Sequence, residues 1–239
     1  MRIRVRGQEA PIELVIGIII LLASMGIALA VMGNASKTRC VSELRGQIDT
    51  LKLAMQDLSI QSPPSMRKVF FTMPSCGGDS VDVIRFVYYN REINCRACPG
   101  HYSSCWKIEP YSYETSTQKY LQSATLIQTE ACIDLAGAIT LIDENSAGNN
   151  ACMPLSDSPC ITPGCTADQA GLVDALMPSG RVASYRTFGR FDSDGNPTSR
   201  KFEITLRKTV VAGGGACDGS ECGAILICVK PCGVAGAQC

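Results

Sequence analysis

Catalytic vocabulary is what this chain has least of. It contains one histidine, His101, and one tryptophan, Trp106, and its aromatic fraction is only 6%. There is no Gly-x-Ser-x-Gly, no phosphate-cradling glycine loop and no His-Glu-x-x-His. Nothing therefore supports a nucleophile triad, a nucleotide-phosphate site or a metallohydrolase centre. Haem attachment is excluded because no Cys-x-x-Cys is followed by histidine. Net charge is also missing: Lys plus Arg and Asp plus Glu both number 22, which leaves no global pull toward nucleic acid or anionic lipid. No period of roughly 20–50 residues repeats, so a solenoid is excluded. The expectation is a protein that is not an enzyme, uses no cofactor and has no nucleic-acid partner.

Cysteine is absent from the first 39 residues and abundant after them. All 14 lie beyond that point: Cys40, Cys76, Cys95, Cys98, Cys105, Cys132, Cys152, Cys160, Cys165, Cys217, Cys222, Cys228, Cys232 and Cys239. An even number spread through the chain, rather than gathered in tight quartets, reads as disulfides formed in an oxidising compartment. Spacing alone does not give their pairing. A head of roughly 180 residues with few aromatics has a modest core, and cross-links would compensate.

Charge is missing altogether from one long run. Leu14 to Met32 is 19 residues with Ser24 as its only hydroxyl, about 28 Å as a helix, which matches a bilayer core. Arg2, Arg4 and Arg6 precede it and every cysteine follows it, so the N-terminus is expected in the cytoplasm and the head outside. A secretory signal would carry its cleavage site after the apolar core. Here the processing-like residues, Gly7 and Gln8, come before it.

The segment Arg6-Gly7-Gln8-Glu9-Ala10-Pro11-Ile12-Glu13-Leu14-Val15-Ile16 resembles the class III signal of type IV pilins, and its Gly-Gln start is similar to the archaeal version. The resemblance covers about the first thirty residues. It implies cleavage of residues 1–7 by a prepilin peptidase and retention of the helix as a filament core. It further implies a membrane-inserted precursor, pilus assembly machinery, and a surface or extracellular filament that is a helical homopolymer of this chain. Glu13 matches the glutamate that pairs with a neighbour's N-terminal amine in that family. A lone carboxylate beside nineteen apolar residues is costly unless paired, which suits that role. Cleavage after Gly7 puts Glu13 one position later than the family pattern. Leu14, Ile16, Ile18 and Leu22 are the expected assembly contacts. The alternatives are an uncleaved membrane-anchored surface protein with a ligand- or partner-binding head, and a minor pilin.

After a polar break at Gly33-Asn34-Ala35-Ser36-Lys37, a heptad stripe resumes with Val41, Leu44, Ile48, Leu51, Met55 and Leu58, and Pro63-Pro64 ends it. One helix from Pro11 to Gln61 would be about 77 Å long. Strands are expected at Val69–Met73, Val81–Tyr89, Trp106–Tyr113, Tyr185–Phe191, Phe202–Val211 and Ala224–Val229. Ser116–Ile142 reads as a helix followed by a strand. Asp143–Arg181 reads as a long stapled loop, with a helical turn at Asp174–Met177. Gly213-Gly214-Gly215 reads as a flexible connection. The fold class is α+β: a leader at 1–7, an N-terminal helix at 8–62, and a disulfide-rich antiparallel β head at 65–239.

Two clusters admit other chemistry. Cys95, Cys98, His101 and Cys105 are zinc-ligand types, and Cys95-Arg96-Ala97-Cys98 has redox spacing, but an oxidising compartment favours structural staples. Asp192, Asp194, Asn196 and Glu203 have the spacing of a calcium loop. Pro197, however, stands where the loop needs glycine, and a hairpin turn uses the same residues.

Overall fold

The structure is a computed structural model that describes residues 9–76, 79–89, 92–100, 104–114, 116, 119–135, 139–143, 152, 182–189, 199–214 and 217–233. It has the expected α+β architecture, with one long N-terminal helix and mainly antiparallel sheets.

Helix α1 runs unbroken from Glu9 to Ile60, 52 residues and about 78 Å. Its second half obeys the heptad stripe: Leu44, Ile48, Leu51, Met55 and Leu58 are fully buried in the main core. The helix stops where the chain meets Pro63-Pro64, since a residue before proline is driven out of the helical region. Its end is tied down by side chains from the sheet. Lys208 Nζ donates to the carbonyls of Ser59 and Gln61, and the Arg67 guanidinium bonds Asp57 through both Nε and Nη2. Gln47 accepts the backbone N–H of Thr72.

The first sheet has the order β1-β10-β11-β8, from β1 (Ser65–Thr72), β10 (Lys201–Gly214), β11 (Cys217–Pro231) and β8 (Ile139–Asp143). Its pairs are antiparallel except β8, which runs parallel to β11. β2 (Ser75–Cys76) and β3 (Asp79–Ser80) make a small hairpin. The second sheet has the order β6-β5-β4-β9, from β4 (Val83–Tyr89), β5 (Cys105–Glu114), β6 (Lys119–Leu121) and β9 (Val182–Gly189). β7 (Ala131–Ile133) also joins β5, pairing Trp106–Ile108 while β6 pairs Ser112–Glu114. Pro110 falls in the gap between those two short partners, where a missing N–H costs nothing on that side.

Both sheets and α1 share one core. Phe71, Phe202, Ile204 and Ile227 come from the first sheet, while Phe86, Ile108 and Phe188 come from the second. Phe188 is its aromatic hub, edge-on to Phe71 and Phe202 and stacked on Phe86.

Three expectations change. Ser116–Ile142 holds three short strands around a single helical turn, α3 (Ala124–Ile127), because Ser123 caps Leu126 N–H and the turn then closes at Thr129. Gly213 and Gly214 are part of β10, and Gly214 pairs with Cys217 in a long hairpin rather than a flexible connection. The strand expected at Tyr185–Phe191 is Val182–Gly189; Phe191 lies outside the described residues. So do Asp174–Met177 and the expected loop, apart from Asp143 and Cys152.

Candidate functional site

Among the described residues of the N-terminal half of α1, no side chain from Leu14 to Met32 is buried against the head. From Leu14 to Arg39 every described side chain is exposed, from 50% at Ile18 to 69% at Met32 among the large apolar ones. A Cβ added at Gly17, Gly26 or Gly33 would meet open space, so no contact within the chain requires glycine there. Each glycine nevertheless costs the helix about 1 kcal/mol relative to alanine. Ser24 Oγ returns its proton to the Leu21 carbonyl at 2.9 Å, which leaves no hydroxyl donor on the surface of this stretch. Burying a large aliphatic side chain is worth about 1.5–3 kcal/mol, so leaving this many in water is unfavourable by tens of kcal/mol. By length and composition, α1 is able to cross a membrane.

The predicted assembly residues Leu14, Ile16, Ile18 and Leu22 all lie on this exposed stretch. Glu13 is within α1 at its N-terminal end. Gly7 and Gln8 lie outside the described residues.

The cysteines behave as staples. Cys95 bonds Cys105, Cys98 bonds Cys132 and Cys152 bonds Cys228, while Cys40 and Cys232 are also disulfide-bonded. None of the described cysteines is free. The Cys-x-x-Cys is thus divided between two cross-links: Cys95 sits at the end of a one-turn helix, α2 (Glu92–Cys95), and Cys98 reaches across to β7. That agrees with the structural-staple reading of this cluster and goes against the redox and zinc alternatives, because the thiols both chemistries need are consumed. His101 lies outside the described residues. Of the calcium candidates, only Glu203 is described. It stands in β10, buried, with Lys68 Nζ at 2.9 Å from its carboxylate. Among the described residues there is no group of three or more metal-ligating side chains.

The second sheet carries a polar cluster that sequence reading missed. Arg85 on β4 stands in register between Glu109 on β5 and Thr187 on β9, and all three are at most 1% exposed. Tyr89 and Tyr111 donate their hydroxyls to the two oxygens of Glu109 at 2.8 and 2.9 Å. Burial, reinforced by that carboxylate, pushes both phenols above their ordinary range. Nearby, Lys107 Nζ lies 3.7 Å from Glu130, whose carboxyl is raised by burial and then by Glu109. Asp82 accepts from Ser80 and from the backbone N–H of Tyr113. Both oxygens of Glu109 accept a tyrosine hydroxyl, which ties β4 to β5, and phenols held above their ordinary range are not activated nucleophiles. The one signal for it was an arginine in the middle of Val-Ile-Arg-Phe-Val-Tyr-Tyr.

Comparison with protein-family models, with curated proteins and with solved structures finds no match to this chain. The class is therefore defined by the fold itself: an α+β protein with a disulfide-stapled β head. It carries a single described helix long and apolar enough to cross a membrane.

Proposed function

We propose that this chain is the structural subunit of a type IV pilus-like extracellular filament. It is made as a membrane-inserted precursor and polymerises through the N-terminal half of α1. The observation that carries this reading is the division of one continuous helix. Residues from Leu44 onward are fixed in the head, while Leu14–Met32 is bare of intramolecular contact. Such a helix needs lipid before assembly and other copies of itself afterwards. The Gly7-Gln8 junction and Glu13 support processing and register of the kind the pilin resemblance implies, and the disulfides suit a head displayed outside the cell.

The test is the non-reduced intact mass of the chain in material sheared from cells, with fragmentation to read its first residue. A chain in the sheared fraction beginning at Gln8 or Glu9 is the expected result. A chain still beginning at Met1, found only in membranes, would overturn the reading in favour of an anchored surface protein.

A further inference from the structure

Two cross-links of the second sheet interleave in sequence. Cys95 bonds Cys105 and Cys98 bonds Cys132, so the second bond starts inside the loop that the first one closes. Four cysteines can be joined in three ways, and the way that begins with the nearest neighbours, Cys95 with Cys98, is not the one the finished head holds. Loop closure loses less entropy the nearer the ends are, so in an extended chain these two meet before Cys105 or Cys132 reaches either. The local backbone suits that meeting. The Cys98 N–H donates to the Cys95 carbonyl at 2.8 Å, and a turn closed in this way holds its end Cα atoms within about 7 Å, the reach of a disulfide.

If Cys95–Cys98 persisted, the sheet could not join the other two. β7 sets Cys132 opposite Lys107, two residues along β5 from Cys105. Such diagonal neighbours stand about 7–8 Å apart, more than a disulfide spans without moving the backbone. The sheet instead brings Cys105 to Cys95. Cys105 is the register partner of Tyr89, and Cys95 Sγ lies 4.0 Å from the Tyr89 carbonyl oxygen.

We propose that Cys95-Arg96-Ala97-Cys98 is a folding relay. Its two cysteines first close on each other, and pairing of β5 with β4 then delivers the Cys105 thiolate to Cys95. A bond forms between the Cys105 and Cys95 sulfurs, the Cys95–Cys98 bond breaks, and Cys98 leaves as the thiolate. That exchange neither gains nor loses electrons. Docking of β7 on β5 then brings up Cys132, and the Cys98 and Cys132 thiols pass two electrons and two protons to an external disulfide, which becomes a dithiol. The initial closure draws on a disulfide donor in the same way. For these two bonds the chain is therefore the substrate of a dithiol oxidase twice, and of a disulfide isomerase not at all. In the finished head Cys95, Cys98 and Cys105 are 0%, 4% and 7% exposed, so the relay is shut and leaves no redox centre behind. The relay needs only an oxidising compartment and holds whether or not the chain builds a filament.

The test marks newly made full chain in cells with a pulse of heavy-isotope amino acids. Thiols are quenched with acid and alkylated at intervals, and the pairs are read from non-reduced peptides. Cleavage after Arg96 and Tyr102 puts Cys95, Cys98 and Cys105 on separate peptides. Cys95–Cys98 should dominate the first oxidised fraction and decline as Cys95–Cys105 rises, with Cys98–Cys132 last. In a Cys105→Ser chain the Cys98–Cys132 pair should be lost, with Cys95–Cys98 closed and Cys132 alkylated. Each readout is a covalent pair, so it does not depend on the variant completing its fold. Native pairs that appear with no earlier Cys95–Cys98 overturn the relay, as does a Cys105→Ser chain that joins Cys98 to Cys132 and leaves Cys95 alkylated.

Discussion

Arg85 and Glu109 are buried register partners on adjacent strands, so removing the charge of one alters the surroundings of the other. Arg85→Met would leave the Glu109 carboxylate buried with only tyrosine hydroxyls to stabilise it, and the head should lose about 3–5 kcal/mol in denaturant unfolding. Replacing both, as Arg85→Met with Glu109→Gln, should recover part of that loss. Glu130 gives a pH signature. Its carboxyl is raised in the folded state, so the fold binds its proton more tightly than the unfolded chain does. Its contribution is full below the ordinary carboxylate pKa of 4.5 and is lost as pH rises through the folded value. Glu130→Gln should therefore flatten the fall in unfolding midpoint over that interval. None of these residues was legible beforehand. Alternation in Val83–Tyr89 reads as one buried and one wet face, but both faces are covered, and six of its seven residues, Arg85 among them, are buried.

Among the elements, α1 was the most legible because two physical signals overlap in it, an uncharged run and a heptad stripe. Its two halves should respond differently to the same change. Leu51→Ala opens a cavity in the core and should cost the head about 2–5 kcal/mol, whereas Leu22→Ala should leave head unfolding unchanged. Strand positions were largely readable from β-branched and aromatic runs. Their order was not, since β8 beside β11 joins segments some eighty residues apart that no local pattern links. Disulfide pairing was equally hidden. Cys98–Cys132 closes a loop of 34 residues, and its replacement by two serines should cost about 4 kcal/mol.

For the whole molecule, core contact begins just after Arg39, with Cys40 and Val41 half-buried and Leu44 the first fully buried residue. A chain starting at Arg39 should therefore stay dispersed in water without detergent and sediment as a monomer. The full chain should need detergent, lipid or a filament. The exposed apolar helix could be anticipated from residues 14–58 and the β head from the β-branched and aromatic runs beyond Pro64, because both follow from burial demands that the sequence states directly. The cluster of Arg85, Glu109 and Thr187 could not, because it is assembled from three strands distant in sequence.

Cys40 lies seven residues beyond Gly33, at the neck where α1 enters the head, and it is disulfide-bonded. Every other cysteine is at position 76 or later, so its partner within the chain belongs to the head. A tug on the head is then transmitted to the helix through a covalent link at the neck. The rod cannot be drawn out lengthwise by shearing the Leu44–Leu58 stripe, and the tensile limit passes from side-chain packing inside one subunit to whatever grips the bare half of the helix.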